Sequence, residues 1–270
     1  MNFSIFKPSF AYLMCFSLLL FSCSSDEETV DEVEFSQEDN KMATQVDMVF
    51  EGTLNIMETA YAEEEGRSNG FFPPCALISI SQTGDIINLE INFGEGCTLP
   101  DGAFVTGKIF LSYGPIVNNT RIIDYTFNEF TYNDHPVSGG GQIERLLENQ
   151  NGNPQSTVNE TITVGFPEST VTATRTGLRI AEWVEGVGSG SWTDNVFHIT
   201  GNWNTNFSNG FNRSGVVTDK LVKKTNCAYL VSGVIDIQQN GLNASLDFGE
   251  GECDNMVTVL FNGQQYIILL

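Results

Sequence analysis

Ile87-Asn88-Leu89-Glu90-Ile91-Asn92-Phe93-Gly94-Glu95-Gly96-Cys97 alternates apolar and polar residues as far as Phe93, then runs through two glycines to a cysteine. A period of two puts Ile87, Leu89, Ile91 and Phe93 on one side of a strand and Asn88, Glu90 and Asn92 on the other. One dry face and one wet face mark an antiparallel sheet that packs on a core from one side. The pattern returns in Val105, Gly107, Ile109, Leu111 and Tyr113, and in Val158, Ile162 and Val164. It returns again in Phe197, Ile199 and Trp203, in Leu242, Ala244, Leu246 and Phe248, and in Val257, Val259 and Phe261. Turn signals separate these runs: Thr83-Gly84-Asp85, Asn133-Asp134, Asn151-Gly152, Asn209-Gly210, Asn240-Gly241 and Asn262-Gly263. The expected fold is all-β, with about a dozen strands linked mostly as hairpins. It is either a sandwich or a strongly curved meander.

The opening stretch has a second copy. Cys75 to Asn92-Phe93-Gly94-Glu95-Gly96-Cys97 is matched by Cys227 to Asp247-Phe248-Gly249-Glu250-Gly251-Glu252-Cys253. Four cysteines in an oxidising compartment form two disulfides, for which three pairings exist. Cys75–Cys97 and Cys227–Cys253 are the expected ones, because each pair brackets a strand–turn–strand unit. A shorter motif recurs as Val105-Thr106-Gly107, Val137-Ser138-Gly139, Ile199-Thr200-Gly201 and Val231-Ser232-Gly233. Its spacing suggests a hairpin module used several times, with one degraded copy near residue 168.

Upstream of the strands the period changes. Val46, Val49, Phe50, Leu54, Met57, Ala60 and Tyr61 recur at steps of three and four, which predicts a helix over about 41–62. Gly52 in its middle costs about 1 kcal/mol. Residues 23–40 are polar and acidic and are expected to form a disordered tether. The single β-rich domain is expected to span 41–270, with strands over about 75–270.

Residues 1–22 carry Lys7, an apolar run from Phe10 to Phe21, and a small residue, Ser22, before Cys23. That is the pattern of an export signal. The run is shorter than the roughly 20 residues of a comfortable bilayer span. Leu20-Phe21-Ser22-Cys23 resembles the lipobox of bacterial lipoproteins, although Phe21 departs from the small or aliphatic residue usual at its position. Ser24-Ser25-Asp26-Glu27-Glu28 resembles the signal that sends Bacteroidetes lipoproteins to the outer face of the outer membrane. The body, with its paired Cys-bracketed units, resembles β-rich surface lipoproteins of Flavobacteria and their relatives. The resemblance implies a lipid anchor on Cys23, removal of residues 1–22 and display at the cell surface. It brings no activity with it.

Composition narrows the partners. The chain has 34 Asp and Glu against 12 Lys and Arg, a formal charge of −22. Nucleic acid is excluded, because its binding needs Lys and Arg on phosphates. No cofactor fingerprint or phosphate loop is present. Nor is there a nucleophile elbow. A metal is not expected: Glu95, Glu250, Glu252 and Asp254 match no calcium loop, and only His135 and His198 are available as histidine ligands. Both histidines are expected at the surface. Trp203 reads as core, since it shares a face with Phe197 and Ile199. Trp183 and Trp192 flank the glycine-rich segment 186–190 and are candidate glycan-binding residues. The expected function is a surface-tethered, non-catalytic binding or structural module with a protein or glycan partner. The alternatives are a glycan-binding component of an outer-membrane uptake system and a secreted glycoside hydrolase. The hydrolase would require two carboxylates, drawn from Asp124, Glu129, Glu144, Asp194 and Asp219, converging in a cleft.

Overall fold

A computed structural model describes residues 37–67 and 70–270. The chain opens with one helix, α1 (Gln37–Glu64), and continues through strands only. These are β1 (Leu77–Thr83), β2 (Ile86–Thr98), β3 (Phe104–Tyr113), β4 (Thr120–Tyr132), β5 (His135–Leu146), β6 (Gln155–Gly165) and β7 (Thr172–Glu185). They are followed by β8 (Val196–Phe207), β9 (Asn212–Lys224), β10 (Ser232–Gln239), β11 (Leu242–Glu250), β12 (Met256–Phe261) and β13 (Gln264–Leu269). All 13 strands lie in one sheet in sequence order, each antiparallel to the next. Of the two expected architectures, the curved meander is the one adopted. Gln37–Asn40, expected in the tether, belong to the helix; the rest of the tether, the signal segment and Cys23 lie outside the described residues.

The sheet curls around the helix. Val46, Val49, Phe50, Leu54, Met57, Ala60 and Tyr61 of α1 share one core with Leu89, Ile91, Phe93, Val105, Ile109, Leu111, Tyr125, Val158 and Val164 from the inner face of β2–β6. A second core joins inner-face residues of β7–β12, among them Ala181, Ile199, Trp203, Leu221, Ile235, Ile237, Phe248 and Val257. Gly52 has a packing reason. A Cβ there would sit 2.2 Å from the Tyr132 ring, so the helix gives up a side chain to let that ring lie against its backbone.

The short glycine motif marks places where adjacent strands approach closely. Gly107 has φ +75° and Gly233 has φ +106°, and the register of their strands shifts beside them. At Gly107 a Cβ would meet Glu129 O at 2.2 Å, and at Gly201 it would meet Leu178 O at 2.0 Å. Each lies where the neighbouring backbone comes too close for any side chain. The motif glycines sit on β3, β5, β8 and β10. The middle interval therefore spans three strands rather than four, and the degraded copy expected near residue 168 does not exist.

The longer repeat is structural too. Asn92 Oδ1 accepts from Gly94 N at 2.9 Å, and Asp247 Oδ1 accepts from Gly249 N at the same distance. Disulfides Cys75–Cys97 and Cys227–Cys253 close the open ends of hairpins β1–β2 and β10–β11. Each limits the unfolded chain and contributes about 3 kcal/mol.

Candidate functional site

Charged side chains inside the sheet are the first place to look for chemistry. Arg145 on β5, Arg175 and Arg179 on β7 and Arg213 on β9 are all buried. They face a stripe of helix acids, Asp47, Glu51 and Glu58, which repeat at four and seven residues and so share one side of α1. Arg175 pairs with Asp47 and donates through Nε to Glu160 of β6 at 2.7 Å. Its guanidinium lies 4.5 Å from the ring centres of both Phe50 and Trp203. Arg213 reaches Asp47 at 3.3 Å. Ser156 links Arg145 to Glu58: it accepts from the arginine at 3.2 Å and donates to the carboxylate at 2.7 Å.

The electrostatics follow from burial. Desolvation pushes the Glu160 carboxyl up to about 7, and Arg175 offsets only part of that. Burial lowers Arg145 below its ordinary value, against the pull of Glu58. At Arg179 burial also acts downward, but Glu51 and Glu58 outweigh it and raise the group. Arg175, Arg179 and Arg213 are bound to the protein's own carboxylates and Arg145 to Ser156, so the network clamps helix to sheet. Among the described residues, no three of His, Cys, Asp and Glu converge as a metal site.

The residues singled out by sequence fall as follows. Trp183 is 1% exposed, stacks on Phe197 and donates its indole N–H to Glu185 O at 2.6 Å. It has no free face for a sugar, because its strand position points inward beside Ala181 and Arg179. Trp192 is half-buried and meets Phe71 edge-on, with ring centres 5.3 Å apart. Trp203 is core. His135, expected at the surface, is 4% exposed: the turn is Asn133-Asp134, and His135 begins β5 with Nδ1 3.0 Å from Gly165 O. His198 is half-buried, and burial together with Lys220 lowers its pKa. Asp124 is bonded to Gln142 and Asp194 to Ser189.

The inward arginines escaped the sequence reading. Their signal was Arg175 and Arg179, four apart on a strand flanked by Ala173 and Ala181 and hence on the dry face.

The exposed apolar surface lies elsewhere, at the ends of the sheet. On β13 every residue is exposed, with Ile267 at 72%, Leu269 at 70% and Tyr266 at 48%. Met256 and Leu260 of β12 are exposed beside them, and Leu77, Ile78 and Ile80 are exposed on β1. Backbone groups are free there as well. Phe261 pairs with Gln264 across the two-residue turn Asn262-Gly263, so Gln264, Tyr266 and Ile268 bond toward β12. Gln265, Ile267 and Leu269 therefore turn their N–H and C=O groups outward. Thirteen antiparallel strands leave β1 and β13 running the same way, so the sheet cannot close on itself with an antiparallel pair.

Comparison with protein-family models, with curated proteins and with solved structures finds no match.

Proposed function

We propose that the chain is a surface-tethered lipoprotein, anchored in the outer membrane through Cys23, whose β domain is a non-catalytic binding or structural module. The Lys7 start, the apolar run and the Ser/acidic stretch after Cys23 support the address. The observation that carries the binding role is the β12–β13 edge: an apolar strand, exposed on both faces, ending the sheet of a strongly acidic chain. Native sheets usually blunt such an edge with charge or proline, and Gln264–Leu269 contains neither. An apolar edge with free amides suits another polypeptide. The glycan reading loses one of the two rings it relied on, because Trp183 is buried.

The address is tested on intact cells. Added protease should degrade the wild-type chain without lysis. Cys23→Ser should be lost from the outer membrane fraction. Protection of the wild-type chain until lysis would refute surface display.

A further inference from the structure

We infer that the free edge of β13 pairs antiparallel with β13 of a second copy, about a two-fold axis through Ile267. This rests on the reading of that edge as the working surface, and it names the partner.

The geometry selects the register. A two-fold perpendicular to the sheet places opposed residues on the same face, so the positions that meet must have the same parity. The outward-bonding residues are Gln265, Ile267 and Leu269, which are symmetric about Ile267. Centring there sets Gln265 opposite Leu269 of the second copy, Ile267 opposite itself and Leu269 opposite Gln265. Each of these pairs exchanges two backbone hydrogen bonds. Centring on Tyr266 or Ile268 leaves one of the three outward residues without an outward partner inside the strand.

The side chains agree with this register. Val257 and Val259, on the inner side, pair with Ile268 and Tyr266. Ile267 and Leu269 are therefore on the outer side with Met256 and Leu260. In the pair, Ile267 packs on its own copy and Tyr266 lies beside Ile268 of the other.

Charge points the same way. Met256–Leu270 holds no charged residue in a chain of formal charge −22. A basic partner would find nothing to recognise on this edge, whereas two acidic copies can meet there without opposing carboxylates. Met256, Leu260, Tyr266, Ile267, Ile268 and Leu269 are between 41% and 72% exposed. They flank the pairing edge, so strand pairing there sets apolar side chains of the two copies side by side. Pairing β13 with β1 of the next copy is the weaker geometry: it is parallel, and it propagates without closing.

The test is cysteine cross-linking of the full chain in its own membranes. In this register Ile267→Cys faces its copy at a Cα separation of about 5.5 Å, within disulfide reach. Gln265→Cys is four residues out of register with itself, about 13 Å away, and cannot bridge. The expected result is a dimer band for Ile267→Cys, none for Gln265→Cys, and a heterodimer band when Gln265→Cys and Leu269→Cys chains are mixed. Ile267→Lys should abolish the wild-type dimer seen by sedimentation in detergent and leave the circular dichroism spectrum of the folded chain unchanged. No band for Ile267→Cys would overturn the proposal, as would equal bands for both single variants or a ladder beyond the dimer. Surface display would survive that failure, because it is read by protease and by Cys23.

Discussion

Arg179 on β7 holds Glu51 of the helix through both carboxylate oxygens, at 3.0 and 3.1 Å from Nε, across 128 residues of sequence. Together with Arg175 and Arg213 it ties the half-buried acids of α1, Asp47 and Glu51, to the sheet. Arg175→Ala would leave Glu160 buried without its partner. We expect a loss of about 3–5 kcal/mol, because the change breaks the buried pairs to Glu160 and Asp47 and empties the space between Phe50 and Trp203. Arg179→Ala should cost less, about 1–3 kcal/mol, since Glu51 can turn to solvent. Urea unfolding of both variants measures this, and equal losses would contradict the ranking.

Gly52 separates two accounts of the helix. Helix propensity alone predicts that Gly52→Ala stabilises by about 1 kcal/mol. Packing predicts the opposite, a loss of about 1–3 kcal/mol, because the new Cβ would overlap the buried Tyr132 ring. Thermal melts of Gly52→Ala and of Gly52→Ala/Tyr132→Ala decide the sign. Relief in the double variant, relative to Tyr132→Ala alone, is expected.

Glu160 gives a pH dependence. Its folded pKa, about 7, lies above the unfolded value of about 4.3, so folding favours the protonated form. Its contribution to stability is complete below about pH 4 and is lost as the pH rises through 7. Glu160→Gln cannot lose that proton. The stability of the variant relative to wild type should therefore rise between pH 5 and pH 8. Denaturation midpoints at the two pH values check it, and a difference independent of pH would contradict it.

The strands were legible because alternation and turn pairs are local. Ile87 to Phe93 states its own faces, and Asn262-Gly263 marks its own hairpin. The helix was legible from Val46 to Tyr61, with its start placed a turn late because Gln37–Asn40 share the acidic composition of the segment before them. The repeated cysteines pointed to the right pairings. The arginine network was hidden because an arginine in a strand reads as the wet face, and the helix acids that reverse this lie 128 residues away. Trp183 was misplaced for a related reason: the nearby glycines suggested a rim, while its parity with Arg179 and Ala181 put it inside. The free edge of β13 could not be seen, because a period of two says which face a residue takes and nothing about which strand, if any, stands beside it.

The most direct test of the account is metabolic labelling with an alkyne fatty acid, comparing the wild-type chain with Cys23→Ser. The account predicts label on the wild-type chain and none on the variant, because Cys23 is the proposed anchor. A wild-type chain without label, or a Cys23→Ser chain labelled equally, would contradict it.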